Sequence, residues 1–463
     1  MNAFRQQKHL TDLRAAATRH QRRLGQPITI WVHPHATSLT LRSALQRFFT
    51  LSVLNILGSG IFFLIQTHIA NIIGRAQFGM LAYGIAFGIY GQMIVVYGQD
   101  RSLVRDLVQR PHFIDMVIGS LCLRTLLLGI VISVLLLWRV FIPAAMSWSV
   151  IIIILAYTLK SLDLQAVYDT WQKMGRHAAY LLLQRALYAA VICLLLYVLQ
   201  VKLTLTIIGV VLLASQIIYL IIQHSWVFRQ LPRQAIRSIS WYEVRSQAQR
   251  GSWLCMSGLL SLSQVSLNQI LIKHYADARS LGGYAAAWQI TMITTLFIQF
   301  AARVGGPRLA SVTHETSDYH EQLRFLLRYS LLTLLLVLPI AGVLMFFPSR
   351  VMGLLYSAEY HQEARILYPM GLYTLLLAPG VVCEQFIVFS RMEWVYLLAM
   401  LLSGLTCVFV GMVAIPHAGG YGAAWGLVAC YSVAMGVYLA AIIRHLRRVR
   451  HAESVPQPAT LSP

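Results

Sequence analysis

Ser257, Ser261, Gln264 and Asn268 recur at i, i+4, i+7 and i+11, a spacing that puts all four on one face of a helix. Hydroxyls and carboxamides so arranged can hydrogen-bond a polar cargo or one another. The run that carries them, 253–272, is nevertheless apolar enough to span a bilayer. In the front of the chain Asn55, Ser59, Phe62 and Gln66 repeat the spacing within a second apolar run. Both runs end in a short polar loop, followed by Phe78-Gly79 in one case and Leu281-Gly282 in the other. A polar stripe facing lipid is costly, so each stripe should face protein or a water-filled space. One stripe alone reads equally well as glue between neighbouring helices. Two in matching positions of two halves point to a shared pathway at a repeat interface, as in a transporter.

The elements that must carry these stripes are membrane helices. The chain is 58% hydrophobic with 11% charged residues and a mean hydropathy of +0.65, whereas soluble domains carry roughly 25% charged residues. Twelve apolar runs are long enough to cross a membrane: 48–73, 80–99, 113–137, 141–160, 178–200, 204–223, 252–274, 282–303, 325–347, 366–390, 394–415 and 421–443. The net charge of +21 is mostly an orientation signal, because with the N-terminus in the cytoplasm the inward segments hold 27 Lys and Arg and the outward loops 7. It therefore makes no case for nucleic acid, and both termini are expected in the cytoplasm.

The organisation follows. Residues 1–47 form a basic cytoplasmic arm, and 48–223 a first lobe of six helices. Residues 224–251 form a cytoplasmic linker, 252–445 a second six-helix lobe, and 446–463 a disordered tail. Six spans per half make the repeats parallel, related by an axis along the membrane normal. Tyr83, Tyr90 and Tyr97 stand at heptad spacing and read as an aromatic packing seam or as a sugar-stacking face. The neighbouring Gly84, Gly88 and Gly91 allow close helix approach.

Charges inside the spans are the sharpest functional signals. Arg124 lies about eleven residues from either end of its run, too deep to snorkel. Its compensation is expected from water and an anionic cargo, and a diphosphate suits it because guanidinium binds phosphate oxygens bidentately. Arg185 and Arg328 lie nearer the cytoplasmic side and would guide such a cargo inward, although snorkelling is an alternative account of Arg328 and also of Arg185. Glu384 follows Pro379-Gly380, which suggests a broken helix beside a buried carboxylate. It could couple transport to a proton or sodium gradient, or pair with Arg328 or Arg185. Six cysteines (Cys122, Cys193, Cys255, Cys383, Cys407 and Cys430) all fall in the runs without metal-like spacing. No Walker loop, HExxH or GxSxG occurs, so neither an enzyme nor a cofactor is expected.

Three further segments carry a resemblance. Ile73-Gly74-Arg75-Ala76-Gln77-Phe78-Gly79, Gly353-Leu354-Leu355-Tyr356-Ser357-Ala358-Glu359-Tyr360 and Tyr421-Gly422-Ala423-Ala424-Trp425 are similar, in order and position, to segments of the oligosaccharide flippase (polysaccharide transporter) family. That family lies in the superfamily that also holds multidrug and toxic compound extruders. The resemblance covers about residues 45–445. Asn268 departs from it, since the family often has an acidic residue there.

What the resemblance implies is a two-lobed, all-α alternating-access transporter of a bacterial inner membrane. It would flip undecaprenyl-diphosphate-linked oligosaccharide to the outer leaflet for surface polysaccharide synthesis. Its partners would be that lipid-linked cargo, membrane lipids, and the glycosyltransferases and polymerase of an assembly system. Asn55, Ser59, Gln66, Ser261, Gln264 and Asn268 would line the pathway with Arg124, Arg185 and Arg328. A cation-coupled multidrug exporter shares the architecture and would need an acidic or aromatic lining. A glycan polymerase or ligase would need a larger outward loop. A lipid II flippase would need two further spans.

Overall fold

The computed structural model describes residues 41–100, 103, 113–142, 147–171, 173–230, 241–315, 319–390 and 392–454. The basic arm before residue 41, most of the first inward connection and the tail beyond 454 lie outside them. The chain divides into Met1–Phe49 and a compact unit, Thr50–Pro463, which the account below concerns.

Thirteen α-helices are described, with no strand among the described residues. They are α1 (Leu41–Val96), α2 (Phe113–Phe141), α3 (Trp148–Leu159), α4 (Gln165–Thr170), α5 (Met174–Cys193), α6 (Leu205–Gln230) and α7 (Trp241–Ser263). The remainder are α8 (Ser266–Tyr275), α9 (Ala278–Glu315), α10 (Tyr319–Phe346), α11 (Pro348–Leu355), α12 (Leu367–Phe389) and α13 (Glu393–Ser454). Nine segments among the described residues are long and apolar enough to cross a membrane. Two of these segments, the apolar parts of α1 and α13, each contain two expected spans. An unbroken helix of 56 residues, the length of α1, would be about 84 Å long. Instead α1 breaks at Gly74 (φ 78°) and α13 at Gly419 (φ 54°), in backbone regions that glycine enters without a Cβ penalty. Past Gly419 the chain folds back so tightly that a Cβ on Gly422 would meet the Ala414 carbonyl. With these breaks the nine segments make eleven crossings, and α7 with α8, over the expected seventh span, would make the twelfth.

Two expectations need correcting. The seventh span is not one helix: it is interrupted between Ser263 and Ser266, so its polar residues do not share one continuous face. Conversely, α12 runs unbroken through Pro379-Gly380, with Pro379 inside the helix.

Packing follows the two halves. Within the first, α3 pairs with α6 and α5 with α6; within the second, α12 pairs with α9, α10 and α13. The glycines of the second span fit this scheme, since a Cβ on Gly84, Gly88 or Gly91 would press on Ile153, Tyr157 or Thr158. Tyr83 packs on Phe87 at 4.9 Å and Phe87 on Trp138, which makes Tyr83 part of a packing seam. Lipid-facing surfaces are apolar, with Leu137, Leu332 and Phe409 all more than half exposed.

The distribution of the core is unequal along the molecule. At the end marked by Gly74 and Gly419 a single core joins the halves, with Ile65, Ile69 and Leu81 packed among Tyr284, Tyr360 and Leu427. At the opposite end, which carries the basic connections, the cores are separate. One contains Met116, Val167, Tyr168 and Val227 of the first half, the other Leu309, Leu326, Phe386 and Ile442 of the second.

Candidate functional site

The first polar stripe stays partly open. Asn55 and Ser59 on α1 are half-buried. Arg185 of α5 donates from Nη1 to Ser59 Oγ at 3.0 Å and lies 5.9 Å over the Phe62 ring. Gly58 leaves room for this cation, because a Cβ there would sit 3.1 Å from Nη1. Among the described residues no carboxylate lies within ion-pair distance of Arg185. One helical turn beyond Phe62, Gln66 is buried with neither carboxamide atom hydrogen-bonded. A buried amide without partners is costly in a finished core, so such a group has unused binding capacity.

The second stripe is spent on the protein itself. Gln264 Nε2 donates to Ser403 Oγ at 2.6 Å, and Asn268 Nδ2 to the Gln264 carbonyl at 3.2 Å. Cys407 lies against the Asn268 carboxamide oxygen at 3.3 Å. Gln264 and Asn268 are both buried against α13, in the manner of polar glue between helices. Ser261 is half-buried, and the side chain of Ser257 lies outside those described.

The three arginines differ sharply. Arg124, 2% exposed, is saturated by protein groups. Its Nε donates to Gln99 Oε1 at 3.1 Å, Nη1 to the Ser161 and Asp163 carbonyls at 2.8 and 3.0 Å, and Nη2 to Asp100 Oδ1 at 2.8 Å. The expectation that water and cargo compensate this charge is therefore corrected. The protein does so, because α2 extends past the end of α3 and sets Arg124 level with the carbonyls that follow it. Asp163 in turn receives the Tyr219 hydroxyl at 2.7 Å and pairs with His177 at 2.9 Å, so Asp163, His177 and Tyr219 form a polar knot below the surface. Arg328 is exposed on α10. Glu384 is half-buried on α12.

A further set was not assigned from sequence. At the joined end, Asn71 of α1 donates to the Leu355 carbonyl at 3.0 Å and accepts from the Ser357 amide at 2.8 Å. Arg75 donates through its backbone to Glu359 Oε2 at 3.2 Å and through Nη1 to the Glu359 carbonyl, and it pairs with Glu363 at 3.4 Å. Tyr360 donates to the Ala70 carbonyl, and Gln289 of α9 to that of Phe63. Beside them α1 and α9 cross at two glycines. A Cβ on Gly79 would collide with the Ala278 carbonyl, and one on Gly282 with that of Arg75. The Phe78-Gly79 and Leu281-Gly282 signatures thus touch each other. The signal that could have found this clasp is the opposite charge of Arg75 and Glu359 in two otherwise uncharged motifs.

These contacts should hold the end shut. Cysteines at positions 71 and 357, with the six native cysteines replaced, are expected to cross-link on oxidation in membranes. No cross-link under conditions that oxidise a control pair would show that this end is not held shut.

A family model described as polysaccharide biosynthesis protein matches residues 44–312. No curated protein matches the chain. Among solved structures, the lipid II flippase MurJ in an inward closed conformation aligns with a TM-score of 0.67 at 12% identity, covering 89% of this chain and 94% of the other. A multidrug resistance MATE family transporter of the MOP superfamily, inward-facing, aligns with 0.63 at 14% identity, covering 88% and 99%. A MOP superfamily transporter from Pyrococcus furiosus aligns with 0.56 at 15% identity, covering 88% and 96%. At these identities the likeness is one of fold.

Proposed function

Because the chain belongs to the polysaccharide biosynthesis protein family and has the fold of MOP-superfamily membrane transporters, we propose that it flips an undecaprenyl-diphosphate-linked oligosaccharide from the cytoplasmic to the outer leaflet of a bacterial inner membrane. The family match, which includes the whole first half, carries this reading. The basic end then faces the cytoplasm, in keeping with the bias of Lys and Arg, and the clasped end faces outward. At that end the buried cores are separate, and the halves meet where Gly251 and Gly258 of α7 lie against Tyr97 and Met93. Of the similar structures, the multidrug transporter is described as inward-facing and the flippase as inward closed.

Arg185 is the residue best suited to a diphosphate. It is half-buried and free of a fixed carboxylate, and it stands beside polar groups of α1. Asn55, Ser59 and Gln66 offer hydrogen bonds to the same cargo, and Arg328 a cation at the basic end. Gln264, Asn268 and Arg124 support the walls.

The alternative is a cation-coupled multidrug exporter, favoured by the fold match to the multidrug transporter. The test is complementation of a strain lacking its lipid-linked oligosaccharide flippase, read as surface polysaccharide, beside drug susceptibility. Restored glycan supports the proposal. Drug resistance without glycan supports the exporter.

Ion coupling is assigned to Glu384, the carboxylate of the described part of α12. Glu384→Gln is expected to weaken gradient-driven transport severalfold at unchanged abundance. Full gradient dependence in that variant would remove Glu384 from the coupling.

A further inference from the structure

At the basic end of the first half, Trp226 of α6 is a cation platform. The Arg176 guanidinium lies 4.6 Å from its ring centroid and the Lys173 ammonium 5.5 Å. Tyr168 stacks on the ring at 5.0 Å, and Trp171 meets it edge-on at 5.6 Å. Lys173, Arg176 and the nearby Arg229 are exposed. Among the described residues no carboxylate is within ion-pair distance of Lys173 or Arg176, and Asp169 of the adjoining α4 is not paired with either. Indoles beside cations are the usual furniture of a membrane interface, but here both cations are held in place and neither is neutralised.

The platform caps a groove. Between α5 and α6 an open cleft is lined by Tyr180, Leu183, Leu187, Ile218, Tyr219 and Ile222. Tyr180 is one helical turn on from Arg176, and Ile222 one turn from Trp226, so cation cluster and cleft are continuous. Three of the polar side chains of the cleft are occupied internally. The Tyr219 hydroxyl goes to Asp163, Ser215 to the Leu212 carbonyl, and Gln184 to Gln216. What remains is an apolar trough, with Leu183 51% and Ile218 43% exposed, ending under two cations. An amphiphile with a negative head matches it, and the headgroup must be net anionic because a choline beside the phosphate would face the same cations.

We propose that Lys173 and Arg176 on Trp226, together with the α5–α6 groove, form a binding site for one anionic phospholipid of the surrounding leaflet. Its phosphate lies against the two cations and one acyl chain lies in the groove. The assignment does not depend on the transport substrate. It gives the first half a lipid anchor at the basic end, where its core is separate from that of the second half.

The test is native mass spectrometry of the purified full-length chain titrated with phosphatidylglycerol and, separately, phosphatidylcholine. Wild type is expected to retain one phosphatidylglycerol about 30-fold more tightly than phosphatidylcholine, the gain from two interfacial cations. Lys173→Gln with Arg176→Gln should abolish that preference. Leu183→Trp, which fills the groove, should weaken both lipids while leaving the cations intact. Brominated phosphatidylglycerol should quench the tryptophan emission of wild type more than that of Trp226→Phe. Equal retention of the two lipids by wild type, or an unchanged preference in the double variant, would overturn the site. Displacement of phosphatidylglycerol by equimolar undecaprenyl diphosphate would also overturn it, since the groove would then hold cargo.

Discussion

Arg124→Ala is expected to leave the protein poorly folded, not merely inactive. Removing one member of a buried ionic pair costs about 3–5 kcal/mol, mostly because the remaining groups lose their partners. Asp100 is 55% exposed and can rehydrate, so the lower figure, about 3 kcal/mol, applies. What cannot rehydrate are the two carbonyls after α3, whereas the buried Gln99 Oε1 keeps the Ser120 hydroxyl. Arg124→Lys should recover only part of the loss, since one ammonium cannot reach groups that the guanidinium serves through three nitrogens. Thermal unfolding followed by size-exclusion chromatography, with membrane abundance alongside, measures both variants. A well-expressed Arg124→Ala with an unchanged melting temperature would show that the network is not what holds these ends together.

Arg185→Ala should behave in the opposite way. Its described partners are one hydroxyl and a ring face, so folding loses little and abundance is expected to stay near wild type. Transport should fall about 10- to 100-fold, the worth of a charge-assisted contact to phosphate. Arg185→Lys should retain an intermediate level, because a point charge replaces a bidentate fork. Surface glycan at matched abundance is the readout. Full activity in Arg185→Ala would remove the cationic contact from the mechanism, whatever the cargo. Together the two arginines separate a structural charge from a binding one, although both looked alike as isolated cations in apolar runs.

Much of the architecture was legible in the amino-acid order. Hydropathy located the helices because a bilayer requires about 20 apolar residues per crossing regardless of what lies next to them. The motif beginning at Ile73 marked the first chain reversal, since Gly74 enters a conformation that few other residues tolerate. Of the three segments that resemble the polysaccharide transporter family, the first, 73–79, lies within the family match over 44–312 and the other two lie beyond it. The paired Phe78-Gly79 and Leu281-Gly282 signatures marked equivalent positions in the two halves. That they touch could not be read from either one.

The candidate site divided differently. Spacing alone placed Asn55, Ser59 and Gln66 on one face of α1, and it placed Gln264 and Asn268 on an equivalent face. Only the packing of α13 decided that the latter two are consumed by Ser403 and Cys407, while Gln66 keeps both amide atoms unpaired. In the same way, the depth of Arg124 was countable, but its neighbours were not. Asp100, Ser161 and Asp163 come to it from outside its own helix. The clasp is the extreme case, joining Asn71 and Arg75 to residues 284 and more positions away. Periodicity and hydropathy are local properties that each segment shows to the lipid by itself. Whether a polar group is satisfied depends on donors and acceptors brought from other segments, and those are chosen only when the helices pack.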